Sequence, residues 1–347
     1  MRVGRAVAGV AAVTLVLSLG GHSAGYAAPD PAVAFLTADA GLGYVREMTA
    51  GYATAVAEAG VRHTEAGPPI GDTARQLGML EDLRREGRNG LAVFTWTPEL
   101  LSGPMAATGE AGTPVIAVYS PPAEGSGVKL YVGNDNFALG EMLADQVASL
   151  LPRDAAGVVV LGTAVPGVQA LDQRIAGLRS RLPRVRPGVR LLGPFDTKQD
   201  PAANLKSWEL LVRSDPRALG FVGTGDRDAR SLARLRNQSA GTWIAGGFGL
   251  DDIAVQAVRN GGYALVSPEP YVQGAIAGWL LAEHAKRNFP LPAGWIPTPA
   301  IPVTPSNAEM IMARQASTKR RADDARVVVR DVVSDLAGHL LPLSAAR

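Results

Sequence analysis

The chain has 347 residues, 47% of them hydrophobic and 19% charged, with 34 basic side chains against 32 acidic. That length allows two domains, each with its own core, and that composition excludes wholesale disorder. The absence of cysteine excludes disulfide stapling and a lipid anchor on an N-terminal cysteine.

The first element is a leader. Arg2 and Arg5 precede an apolar stretch, residues 6–19, of signal-peptide length and too short to span a bilayer well. Small residues at Gly25 and Ala27 place the cut after Ala27, with Ala28 close behind, so residues 1–27 are expected to leave on export; an uncleaved anchor is the other reading. The leader holds two arginines and no acid, which leaves 34 − 2 = 32 basic against 32 acidic side chains in the mature chain. A neutral mature protein gives no electrostatic reason to expect nucleic acid as a partner.

Beyond the leader, short apolar runs alternate with amphipathic stretches. Strands are predicted at residues 33–37, 61–65, 91–95, 115–119, 130–133, 157–161, 189–192, 220–222, 243–245 and 264–267. Helices are predicted between most of them, including residues 43–59, 73–86, 172–182, 203–214 and 252–260. Such alternation predicts parallel sheets covered on both faces. The pattern runs through twice, before and after Asn134. Residues 114–151 hold the join: a strand, a Pro- and Gly-rich loop, a second strand, then Asn134, Asp135 and Asn136 where a helix begins and its free N–H groups need partners. Residues 289–307 hold prolines too frequent for a continuous helix or an inner strand. Near the end, Val329, Val332, Val333, Leu336 and Leu340 are spaced as one helix face, which suits a helix docked on a lobe, a frayed tail or a partner-binding helix.

Catalysis has no sequence support. His63, His284 and His339 stand alone, with no paired-ligand spacing and no G-x-S-x-G elbow. Gly41-Leu42-Gly43 sits between a strand and a helix, with Glu65 at the distance of a ribose-binding acid, but Arg46 stands where a dinucleotide site needs its third glycine. No metal, cofactor or enzymatic activity is expected.

Several segments resemble one family. VGNDNFALGEMLADQV resembles the "VG.DN...G...A" segment of type I periplasmic binding proteins, the ribose- and galactose-binding group. AVAFLTADAGLGYVREMTAGYATAVAEAG is similar to that family's first strand, aromatic-bearing loop and first helix. DTARQLGMLEDLRREGRNGLAVFTW is similar to its second helix and third strand. GVVVLGTAVPGVQALDQRIAGLRSRL resembles the opening of its second lobe, and WIAGGFGLDDIAVQAVRNGGYALVSPEPYVQGAIAGWLL its "v.GFD....ai..G.....v.Q.PY.qG" stretch. The resemblance covers most of the chain.

It implies an α/β fold of two Rossmann-like lobes with parallel sheets, joined by a hinge crossed three times, near Val132, near Pro268 and around residues 296–303. The helix at residues 271–286 would return to the first lobe. The N-terminal lobe would comprise residues 28–133 plus 269–295, the C-terminal lobe residues 134–268 plus 296–318, and residues 319–347 an extra helix or tail.

Ligands in such folds sit beyond the carboxyl ends of the strands. There Asp39 and Tyr44 follow the first strand, and the resemblance gives Tyr44 the role of stacking on a sugar ring; lobe-surface packing is its other reading. Arg174 matches the family's arginine in the second lobe's first helix, a fixed fork of donors, unless Asp172 or another acid pairs with it. Trp96, Tyr119, Asp226, Phe248 and Glu269 complete the candidates, each equally suited to a structural role. The family's polar positions have changed: Tyr119 and Ser120 replace a charged pair, and Gly225, Gly249 and Pro268 stand at other hydrogen-bonding positions. The cleft is therefore expected to be aromatic and sparsely charged.

These features predict an exported, periplasmic solute-binding protein that captures a small polar ligand, a sugar or polyol, for uptake by an ABC transporter permease, with no membrane insertion after cleavage. A periplasmic sensor or adaptor for a receptor kinase or chemoreceptor is the alternative.

Overall fold

The computed structural model describes residues 30–239 and 241–346; the predicted leader lies outside the described residues. In chain order the elements are β1 (Ala32–Leu36), α1 (Gly43–Glu58), β2 (Arg62–Ala66), α2 (Thr73–Arg85), β3 (Leu91–Val93), α3 (Pro98–Glu110), β4 (Val115–Val118), β5 (Leu130–Gly133), α4 (Asn136–Leu150), β6 (Gly157–Thr163), α5 (Gln169–Val185) and β7 (Val189–Asp196). There follow α6 (Pro201–Ser214), β8 (Gly220–Gly223), α7 (Asp226–Gln238), β9 (Ile244–Phe248), α8 (Asp252–Asn260), β10 (Tyr263–Ser267), α9 (Pro270–Arg287), β11 (Gly294–Pro297), β12 (Ile301–Val303), α10 (Ala308–Gln315) and α11 (Thr318–Ser334).

Two six-stranded sheets result, ordered β11-β5-β4-β3-β1-β2 and β12-β10-β9-β8-β6-β7. All pairings are parallel except that of β12 with β10. The inner strands of each sheet are near-continuous apolar runs buried on both faces, while the edge strands β2 and β7 are largely exposed. In the N-terminal lobe one face packs under α1, α9 and α11, through residues such as Val45, Met48, Ile276 and Val329; the other packs under α2 and α3, through Leu80, Leu83, Leu101 and Met105. In the C-terminal lobe α4 and α5 cover one face with Leu143, Val147 and Leu178. There α6, α7, α8 and α10 cover the other with Trp208, Leu232, Val258 and Ile311. Aspartates start many of the helices: Asp72, Asp135, Asp200 and Asp251 each accept a backbone N–H in the first turn.

Two helix pairs approach closely enough to need glycine. A Cβ at Gly51 of α1 would overlap the carbonyl oxygen of Tyr271, and one at Gly274 of α9 would overlap that of Met48. Gly140 of α4 and Gly177 of α5 meet the same restriction in the other lobe.

The proline-rich segment forms two edge strands separated by a crossing, the places where a missing N–H is tolerated. Ile296 and Pro297, assigned from sequence to the C-terminal lobe, pair instead with Val132 and Gly133 in the N-terminal sheet. Pro98 stands at the start of α3, where no N–H is required. The extra C-terminal helix docks on the N-terminal lobe. Ala325, Val329 and Val332 are buried there, with Val333, Leu336 and Leu340 packed against the same cluster. Leu341 exchanges backbone hydrogen bonds with Trp295 at 2.7 and 2.8 Å.

Inside the C-terminal lobe, Asp228 is fully buried and accepts from Thr197 Oγ1 (2.6 Å), Asn204 Nδ2 (2.9 Å) and Trp208 Nε1 (2.9 Å). Its other oxygen accepts from the Gly225 N–H at 3.2 Å, at the foot of the loop carrying Asp226. Burial pushes its carboxyl above the usual range, against the pull of those donors.

These contacts set expectations for stability, measured by urea denaturation. Gly51→Ala should cost about 2–3 kcal/mol by forcing α1 off α9. Gly78→Ala, in the middle of α2 with open space around it, should add roughly 0.5–1 kcal/mol. Asp228→Ala removes the acceptor shared by three buried side chains and the Gly225 N–H and should cost about 2–4 kcal/mol.

Candidate ligand-binding cleft

The chain passes between the lobes after β5, after β10 and after β11, and all three passages are tied to one side chain. Asn134, buried, donates through Nδ2 to the Thr298 carbonyl (3.1 Å), Thr298 Oγ1 (2.9 Å) and the Pro299 carbonyl (3.2 Å). Its Oδ1 accepts from Gln273 Nε2 at 2.5 Å, and that amide also donates to the Pro268 carbonyl at 2.9 Å. The three residues expected to open α4 thus have separate tasks. Asn134 binds the hinge, Asp135 caps the helix through the Ala138 N–H, and Asn136, buried, accepts from Arg174 Nε. A fourth passage links α10, whose Ala308 and Ile311 belong to the C-terminal core, to α11 on the N-terminal lobe.

The loops after the strands of both sheets meet around one cavity. Tyr44, Trp96 and Tyr119 line it from the N-terminal lobe; Arg174, Asp226 and Phe248 line it from the C-terminal lobe. In the closed arrangement its volume is about 40 Å³, room for a few water molecules. Val168 and Leu171 of the C-terminal lobe pack into the same apolar cluster as Tyr119 and Leu42 of the other lobe.

The N-terminal wall is aromatic. Tyr44 stacks on Tyr119, with centroids 5.5 Å apart and planes at 29°, and Phe94 meets Tyr119 edge-on at 4.8 Å. Trp96 Nε1 donates to the Tyr44 hydroxyl at 3.3 Å. Tyr119 holds a left-handed backbone at φ 70, a strained conformation for a bulky residue, and its carbonyl accepts from the Tyr131 hydroxyl at 2.8 Å. Burial raises both the Tyr44 and Tyr119 hydroxyls above their ordinary values, so both stay neutral and can donate.

The C-terminal wall is organised by Arg174, 3% exposed. Its Nε donates to Asn136 Oδ1 at 3.0 Å and its Nη1 to the Thr224 carbonyl at 2.9 Å. The guanidinium lies over the Phe248 ring, 4.5 Å from its centroid. Neutral acceptors and a ring therefore hold this cation, in place of the Asp172 pairing that the sequence left open. Asp226 begins α7, and burial raises its carboxyl above the ordinary range, opposed by the adjacent Arg227.

Two candidates stand apart from this cavity. Asp39 uses one oxygen on the Gly41 N–H (2.8 Å) and the other on the Gly71 N–H (2.9 Å), fastening two loops together. Glu269, in the second hinge passage, is gripped by both terminal nitrogens of Arg314 at 2.9 Å and by the Ser267 hydroxyl at 2.7 Å. Gln199 and Leu171 also line the cavity, and sequence reasoning missed them. Gly193-Pro194 makes β7 read as ending at residue 192, whereas it continues to Asp196 and aims the following loop, with Gln199, at the cleft. The altered family positions Gly225, Gly249 and Pro268 lie on the lining as well.

Comparison with known proteins places this architecture. A family model described as a periplasmic binding protein domain matches residues 33–288. The xylose/arabinose-binding protein of Sulfolobus acidocaldarius is 23% identical over 230 residues, 60% of this chain; the match spans 54% of that protein's length. Among solved structures, a solute-binding protein of Burkholderia graminis in complex with D-arabinose superposes with a TM-score of 0.73 at 22% identity, over 80% of this chain and 96% of the other. One from Actinobacillus succinogenes with bound D-allose gives 0.73 at 18% identity, over 81% and 100%. The glucose-galactose binding protein of Geobacillus stearothermophilus gives 0.71 at 19% identity, over 80% and 98%. With the family model covering most of the chain, and two parallel α/β lobes meeting over a hinged cleft, this protein belongs to the periplasmic binding proteins, in their type I form.

Proposed function

We propose that this chain is an exported, periplasmic solute-binding protein that encloses a sugar or polyol-like ligand between its lobes and presents it to an ABC transporter permease. The observation that carries this is convergence: six side chains chosen from sequence, three from each lobe, face one cavity astride a hinge. A cavity of about 40 Å³ is too small for a sugar ring, so a bound sugar would hold the lobes further apart than they stand here. A ligand that binds such a partly closed arrangement better than the open one then shifts the equilibrium toward it.

In this reading Tyr44 offers its hydroxyl to the ligand, one ring face being stacked on Tyr119. Arg174 offers Nη2, the terminal nitrogen left after Asn136 and Thr224 have taken the other two. Asp226 accepts from ligand hydroxyls. The named relatives that bind arabinose, xylose and allose favour a neutral sugar, and an aromatic wall suits the apolar C–H face of one. The C-terminal helix that suggested an adaptor commits its apolar face to the N-terminal lobe, which favours transport.

A thermal-shift screen with pentoses, hexoses and polyols should show a stabilising ligand; no shift with any of them would remove the sugar reading. By calorimetry with the ligand so identified, Arg174→Ala and Tyr44→Ala should each weaken binding by about 1–3 kcal/mol, and wild-type affinity in both would place the ligand elsewhere. Asp226 has its folded pKa raised by burial, so the unfolded chain ionises first as pH rises, and stability falls until the folded carboxyl also ionises. Asp226→Asn should therefore melt higher than wild type at pH 7, with the difference vanishing as pH drops through the carboxylate range. A difference independent of pH would contradict the burial of this group.

A further inference from the structure

The cleft does not end at the aromatic cavity. Tyr44, Asp226 and Gly249 also line a second chamber of about 660 Å³. Its floor is built from the starts of α1, α7, α8 and α9, and its roof from α10 and α11, through Met310, Gln315, Asp324 and Val328 among others. The roof is fixed at both ends: Arg314 of α10 holds Glu269 in the hinge, and Arg321 of α11 pairs with Glu47 of α1. The C-terminal segment, surplus to the two-lobed frame, thus walls one side of a half-open space that shares lining residues with the proposed site.

We propose that this chamber is a second sugar compartment and that the ligand is a disaccharide or larger glycoside, one unit lying against Tyr44 and Arg174 and the next beneath the α10–α11 roof. The proposal rests on the sugar-binding reading of the cleft. Size is the first argument. A volume near 660 Å³ falls within the roughly 300–1,000 Å³ of sites that enclose molecules larger than a single sugar ring, whereas the aromatic cavity alone is far smaller.

Charge is the second. Both arginines and carboxylates line it, and Arg230 with Asp251, Arg314 with Glu269 and Arg321 with Glu47 are paired. The other charged lining residues are Arg46, which donates to the Gly41 carbonyl, Arg227, Asp226, Asp252 and Asp324. An anionic ligand would meet the unpaired acids and a cationic one the unpaired arginines. A neutral polyhydroxylated unit uses both, because each hydroxyl donates and accepts. Tyr271, Ile301 and Val328 supply apolar surface for its C–H faces.

Calorimetry on the mature full-length chain tests this with matched probes: D-xylose against xylobiose, D-glucose against cellobiose, D-galactose against a β-1,4-linked galactobiose. At least one disaccharide should bind about tenfold or more tighter than its monosaccharide, an increment near 1.4 kcal/mol. The roof variant Gln315→Ala/Asp324→Ala should erase that advantage while leaving monosaccharide affinity within about twofold. Arg174→Ala should weaken both sizes. Every monosaccharide binding as tightly as its disaccharide, or an unchanged disaccharide affinity in the roof variant, would overturn the second compartment and leave the sugar-binding reading standing. Binding of neither size would overturn both.

Discussion

Four stretches of chain pass between the lobes, and one buried amide holds three of them in register. Asn134 spends its donor on the third passage and its acceptor on Gln273, which in turn holds the second. A buried amide left unpaired is costly, and so is each partner it abandons. The passages can therefore pivot together but cannot slide past one another. The geometry of the cleft depends on this: its walls belong to different sheets, and Arg174 can face Tyr44 only if the two lobes meet in a fixed orientation.

Within that frame the two walls differ in kind. The N-terminal wall is a stack of rings that support one another, strained at Tyr119 and braced from behind by Tyr131. The C-terminal wall is a single cation immobilised by an amide, a carbonyl and a ring. An ordered guanidinium loses little freedom when it meets a ligand, so more of its hydrogen-bonding energy remains for affinity. Asp226, beside it, is held in surroundings that disfavour its charge. The fourth passage, through α10 and α11, adds a strap anchored in both cores.

The fold was legible because its signals are repetitive. Apolar strands of four or five residues alternating with amphipathic helices admit few arrangements, and VGNDN marks the join between the two halves. Cavity-lining residues were legible to the extent that they follow strands. Tyr44, Trp96, Tyr119, Asp226 and Phe248 all occupy such positions and all reach the cavity. Asp39 occupies one too, yet its oxygens close a loop; a short acid can serve a neighbouring N–H or a ligand, and sequence does not distinguish the two. Glu269 was illegible for another reason, since its partner Arg314 lies in α10, 45 residues onward. Gln199 was hidden by Gly193-Pro194, which masks the true length of β7. The docking of α11 showed in its apolar spacing, but the surface that receives it did not.

The hinge account is tested most directly by the distance distribution across the cleft. The chain has no cysteine, so paired spin labels at Glu99→Cys on α3 and Ala202→Cys on α6 report the lobe separation without background. Electron–electron resonance should give one or two narrow distance populations in the otherwise native chain. In Asn134→Ala the same pair should give a broad distribution, while a control pair within one lobe stays unchanged. Identical interlobe distributions with and without the Asn134 side chain would contradict the claim that this residue holds the three passages together.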